Sequence, residues 1–401
     1  MGFPGSQTTL RRTLLLLGAA IASVVAVVVV RQWQFADADG SAGLNARLLA
    51  LEPNRWFQLR TTGDMSWRRQ GHAGIAYDSR RGKLYLFGSN THGEDWDDSV
   101  HEFDPATSRW ETHYTAARPE TYRADERGHA IAGDERLLPW AMHTFDNVVY
   151  DPSLDAIIVT ALPLHNRQAR ERAPAAVVHP TWIYDLWNRE WRIFPNGGKP
   201  SPSFFAAASA YDARRDVIVA YGRSGLWEIG PDRKEWQRAS REHHHDMHFN
   251  MVYDSRRGQL GVFGDHGGSN AVWIYTPGPR AGDAGRWQRH LPGGDACPAD
   301  EHFPAAFDDE RGLYLLVPDD RSPGRGQGSR GRASPTRSVT LVYDPDADRY
   351  TRLPQGDLEP LGMNYMMVYD HYHGVFLLVT GDWRAPATVW ALRLAPSLLV
   401  K

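Results

Sequence analysis

Cysteine is almost absent from this chain. Cys297 stands alone among 401 residues, so no disulfide can form within the chain, and closure of the fold falls to strand pairing rather than covalent staples. An excess of charge of one sign is also missing. The 45 Lys and Arg against 48 Asp and Glu leave a net charge of −3, a field that argues against nucleic acid as the main partner. Lysine is scarce within the basic set. No stretch has the composition of an interdomain linker, and repeats override the two or three domains that length alone would suggest.

One uncharged apolar run breaks the pattern. Arg11-Arg12 precede it, it extends from Thr13 to Val30, and Arg31 follows. Its 18 residues sit at the lower edge of a membrane span and above the usual signal-peptide core. The expectation is therefore an export signal or membrane anchor over residues 1–38, with residues 39–401 as a periplasmic or extracellular domain by the positive-inside rule. Cleavage after Ala36-Asp37-Ala38 is the alternative, which would secrete the domain. The two adjacent arginines also faintly resemble a twin-arginine export signal.

What the chain has in quantity is aromatic residues, 15 Trp and 16 Tyr, and they recur. A strand ending in an aromatic-Asp dipeptide appears six times: Tyr77-Asp78, Tyr150-Asp151, Tyr211-Asp212, Tyr253-Asp254, Phe307-Asp308 and Tyr369-Asp370. After each comes a Gly-, Asp- or Arg-containing turn and an apolar run such as Leu84 to Phe87, which reads as a buried middle strand. Further on, an aromatic or aliphatic residue is followed seven positions later by an aromatic one: Phe103 and Trp110, Tyr184 and Trp191, Ile229 and Trp236, Tyr343 and Tyr350. A four-stranded meander returning about every 50 residues predicts a solenoid, propeller or array. Trp56-Phe57-Gln58-Leu59 has no local partner and is expected to complete the last, three-stranded unit. A seventh partial unit from Leu48 to Leu59 is the competing count.

At these residues the chain resembles the Kelch-repeat family, which shares its blade type with galactose oxidase. Such blades carry a glycine doublet after the second strand, here reduced to Gly88-Ser89, Gly264-Asp265 and Gly381-Asp382, and a Tyr…Trp pair across the last two strands. The resemblance spans roughly residues 65 to 395. It implies an all-β, six-bladed β-propeller (seven in the competing count) of four-stranded antiparallel blades, a monomer whose ring is closed by the N-terminal strand. Copper-oxidase chemistry would require a cysteine-linked tyrosine with two histidines and a second tyrosine, and Cys297 cannot be placed in such a set.

In a propeller the lead-in to each first strand lies at the same end as the loop after each second strand. The lead-in residues, five before each anchor, are His72, Phe145, Ala206, His248, His302 and Asn364, with His143, Asp146, Asp246 and Glu301 adjoining. The second set includes His165, Arg167, Arg223, Asp265, His266 and Arg384. Two readings follow. In the first, an exported protein binds or processes a carbohydrate in its axial funnel. His72, His143, His248 and His302 are then the candidate catalytic groups, since imidazole titrates near neutrality. Arg167, Arg223 and Arg384 would fork onto the carboxylates of an anionic polysaccharide. Trp140, Asp146, His165, Asp265 and His266 would complete the substrate contacts, and β-elimination or glycoside hydrolysis are the reactions expected by analogy of fold. In the second, the same face docks a protein and catalyses nothing. The run His243-His244-His245-Asp246-Met247-His248 suits a divalent transition metal by ligand type, but matches no standard zinc spacing, and alternate residues on a strand face opposite ways. The other reading of that run is channel hydrogen bonding by one or two imidazoles, with the rest solvated. Two insertions interrupt the pattern: Arg118 to Trp140, and the basic low-complexity stretch from Asp320 to Ser338.

Overall fold

The computed structural model describes residues 44–64, 72–91, 96–195, 202, 204–264, 270–298, 303–320, 337–381 and 387–396. All lie in the unit Leu44–Lys401. The expected export segment, residues 1–38, lies outside the described residues, as do most of the Gly/Arg-rich insertion and the site candidates His302, Asp265, His266 and Arg384. Among the described residues no helix is long and apolar enough to cross a membrane.

Each return of the aromatic-Asp phrase builds one antiparallel sheet. In the first, Gly74–Asp78, Lys83–Phe87, His101–Asp104 and Arg109–Thr112 pair in order. The middle strands are buried on both faces, as at Ala156–Val159 and Val217–Gly222, which is why they read as unbroken apolar runs. Fourth strands alternate: Arg109–Thr112 and Glu190–Ile193 bury only their Trp fully, so each has one wet face; Glu190–Ile193 is a sheet edge, whereas Thr62–Gly63 adds in parallel outside Arg109–Thr112. The seven-residue aromatic spacing resolves into directly opposed cross-strand pairs, Phe103 with Trp110 and Tyr184 with Trp191, ring centroids 4.9 Å apart in both. Such pairs contribute roughly 0.2–1 kcal/mol each relative to alanines.

Among the described residues the chain is all-β, with seven mostly four-stranded sheets. Six contain an anchor strand, and those strands neighbour one another in a single closed cycle, from Gly74–Asp78 through Val148–Asp151, Ala208–Asp212, Asn250–Asp254, Ala305–Asp308 and Met367–Asp370 back to the first. This is consistent with a β-propeller. Phe57–Gln58 adds to Thr388–Leu392, with Phe57 opposite Ala391 and Gln58 opposite Trp390, so the N-terminal strand completes the last sheet as expected. Trp56 fixes it, donating from Nε1 to Thr340 Oγ1 at 2.8 Å. The seventh sheet, Arg123–Ala124, Ala130–Ala132 and Leu138–Pro139, is the insertion between the first and second anchors.

The turn after each anchor carries more than chain reversal. All six anchor aspartates are at most 1 % exposed. Each accepts backbone N–H bonds from the turn it begins, as Asp78 does from Arg80 and Arg81 and Asp254 from Arg256 and Arg257. Each also meets a positively charged or N–H-donating side chain. Arg81, Arg215, Arg257 and Arg311, three residues on, pair with Asp78, Asp212, Asp254 and Asp308. His373 bonds Asp370 through Nδ1 while its Nε2 accepts the Asn45 N–H. At Asp151 the third residue is Leu154, and the partner is Arg233 from the third sheet, 2.7 Å away. The residue two after the anchor links neighbouring sheets: Arg80 donates to Pro152 O, Arg214 to Ser255 O and Arg256 to Glu310 O. Tyr372 donates to Arg80 O and so joins the last sheet to the first.

Removing one partner of a buried ion pair leaves the other charge uncompensated, at a cost of about 3–5 kcal/mol. Arg233→Ala is therefore expected to destabilise the protein by that amount in urea unfolding, because Asp151 and Asp216 both lose their guanidinium. Arg167→Ala, at an exposed pair, is expected to leave the unfolding midpoint unchanged.

Candidate functional site

The lead-in residues have an unusual backbone. His72, Phe145, Ala206 and His248 occupy equivalent positions in four sheets and all have positive φ, at 83°, 50°, 51° and 60°. L-residues enter this region at a cost, so the conformation must be held by its surroundings. Here the holders are bonds from sheet to sheet: Thr144 and Phe145 N–H donate to His72 O at 2.9 Å, His248 N–H to Ala206 O at 2.7 Å, and His72 N–H to Met363 O. Gly88, at φ 114°, allows the same approach from the loop after the second strand, since a Cβ there would lie 2.2 Å from Thr144 Oγ1.

The side chains carried on this frame form a layer of rings. Phe145 and Tyr365 are buried at its centre, their rings 5.3 Å apart and edge-to-face. His248 packs edge-on to Phe145 and bonds Tyr365 Oη through Nδ1 at 2.9 Å. On the other side three imidazoles run in series, His72 to His143 at 4.2 Å and His143 to His165 at 5.4 Å, with Phe205 4.7 Å from His165. His143 is 2 % exposed, and its Nε2 meets Thr91 Oγ1 at 3.2 Å. The neighbouring His72, His165, Phe205, Met247 and Met363 are half-buried, so the layer is a packed floor with a partly accessible rim of flat and thioether side chains.

No protein-family model matches the chain. No curated protein matches it either. Among solved structures it is similar to a structural-genomics protein of unknown function from Bacteroides thetaiotaomicron VPI-5482, 10 % identical, over 86 % of this chain and 73 % of that one, with a TM-score of 0.43.

Of the residues singled out from sequence, His72, His143, His165 and His248 do come together. Neither Arg167 nor Arg223 joins them as a free cation. Arg167 begins the short helix Arg167–Arg172 and pairs with Glu171 at 2.7 Å, and Arg223 pairs with Asp246 at 2.6 Å, both on the surface. Trp140 is fully buried in the insertion, its Nε1 donating to Ile131 O and its ring stacked on Tyr122. Asp146 faces away from the imidazoles, into the channel between the anchor strands. The histidine run disperses: His244 stacks on Trp273 at 3.8 Å, His245 is buried against Tyr221 and Phe249, and His248 joins the axial layer. Among the described residues no three His, Cys, Asp or Glu side chains form a group that could hold a metal ion. Phe205 and Tyr365 were missed, although each adjoins a lead-in residue, Ala206 and Asn364; extending that set by one position would have found them.

Burial, followed by the neighbouring His244, pushes the His245 imidazole down to about 3, with Tyr221 Oη 3.1 Å from its Nδ1. The folded protein therefore keeps this ring neutral while the unfolded chain protonates near the ordinary 6.5. Stability contributed here is complete above pH 6.5 and falls as pH drops toward 3, at up to about 1.4 kcal/mol per pH unit. Urea unfolding between pH 7 and 5 should show this slope, and His245→Phe should flatten it.

Proposed function

We propose that this protein is an exported, Kelch-like six-bladed propeller that binds a carbohydrate on the axial face carrying His72, His165 and Phe205. What supports the blade count is the closed cycle of six anchor strands. What supports the ligand class is the half-buried rim of imidazole and phenyl rings over a packed floor, because flat, amphipathic rings suit the faces of pyranose sugars and histidine supplies hydrogen bonds to hydroxyls. Membrane attachment through residues 1–38, with the propeller outside the cytoplasm, belongs to the same proposal.

Binding is favoured over β-elimination or hydrolysis. Of the three arginines expected to meet the carboxylates of a uronate polymer, Arg167 and Arg223 pair with Glu171 and Asp246, and Arg384 lies outside the described residues. A non-catalytic protein scaffold is the second reading, favoured by Trp187, 82 % exposed on the turn after Trp182–Asp185.

The full-length protein in mild detergent is to be incubated with neutral and uronate-containing polysaccharides, following binding, reducing ends and the absorbance of unsaturated products. The expected result is saturable binding without new ends, weakened at least tenfold by Phe205→Ala with the fold intact by circular dichroism. Absence of binding to every polymer, with Trp187→Ala abolishing capture of a protein partner, would replace this reading with the scaffold.

A further inference from the structure

Beneath the axial layer, the six anchor strands enclose a channel of about 320 Å³ that opens at the opposite end, where the aromatic-Asp turns lie. That volume is at the small end of ligand pockets. Two residues before each anchor, its wall takes one side chain from every sheet: Ile75, Val148, Ser209, Met251, Ala305 and Met367. None carries a charge. Four residues before each anchor, five sheets place Ala73, Ala207, Phe249, Phe303 and Tyr365, while the second places Asp146. This layer therefore has a single carboxyl, and it lines the channel.

The surroundings of Asp146 differ from those of the anchor aspartates. Its Oδ2 accepts the Met251 N–H at 2.7 Å, and among the described residues no cation pairs with it. The chain supplies a guanidinium or a ring N–H to each buried anchor carboxylate, because an isolated one is costly. Asp98, also buried without a cation, is sealed at 0 % exposure, and burial raises it to about 8, so it persists as the acid. Asp146 is half-buried in the channel wall, and desolvation there holds its carboxyl well above the ordinary range, with only the Met251 N–H drawing it back. It differs in facing a channel through which a partner can arrive. The mouth carries Ser79, Ser255, Asp309 and His371.

We propose that this channel binds a small primary ammonium ligand, its charge held by Asp146 and its short apolar body by the strand walls. The site is separate from the carbohydrate face, because the packed rings of Phe145, Tyr365 and His248 lie between them. Calorimetry on the full-length protein in mild detergent tests this with 2-phenylethylamine, and with 2-phenylethanol and 3-phenylpropanoate as neutral and anionic probes of similar shape. The expected result is saturable binding of the amine alone, weakened at least tenfold by Asp146→Asn. Ser79→Trp, an exposed substitution at the mouth that leaves Asp146 in place, should abolish it with the fold intact, whereas Phe205→Ala should not affect it. Equal binding of the alcohol, undiminished binding to the Asn variant, or no binding of any probe would overturn the proposal.

Discussion

The structure depends on a buried carboxylate repeated six times. A first strand that ends in Asp delivers a negative charge into the interior, and such a charge persists only where N–H donors and a countercharge surround it. Backbone amides of the following turn supply the donors, and the arginine three residues on supplies the countercharge in four sheets. The same solution recurs because the same turn recurs, and the neighbouring arginines tie three of the turns to the next sheet. With one cysteine in the chain, it is these polar contacts, the first-strand packing and the N-terminal strand that close the cycle.

At the other end of the first strands, closure is made by rings. Positive φ at four equivalent lead-in residues turns their side chains toward one another, and the amide bonds between sheets hold that geometry. The resulting floor divides the axis into two environments. One is a half-buried aromatic and imidazole face, the other a mostly apolar channel ending on Asp146. Under the two proposals, each environment serves a different ligand chemistry on one set of strands, the rings from the lead-ins and the channel wall from the strands themselves.

Much of this was legible before any coordinates. The anchor dipeptide, the middle strands and the orphan strand near Trp56 follow from period-2 patterning and turn composition. The lead-in position, five before each anchor, grouped His72 and His248, with His143 adjoining, and the structure places these three in one layer of rings. The aspartate turn was also in view, but its arginines were read only as turn composition, because nothing in Tyr-Asp-Ser-Arg-Arg-Gly says that its Asp will be buried. Arg167 and Arg223 were read as open cations for a similar reason: their partners, Glu171 and Asp246, become visible only when the loops are placed.

By itself the sequence determined the strands, their order within each repeat and which residues share an end, since these are consequences of local alternation and of turns a few residues long. Tertiary structure decided which polar groups are neutralised and which are left facing space. Arg233 reaches Asp151 across 82 residues, and Asp146 meets the Met251 amide across 105. Pairing and burial are set by neighbours distant in the chain. That is why an aspartate three residues from a histidine in sequence could end on the far side of the floor from it.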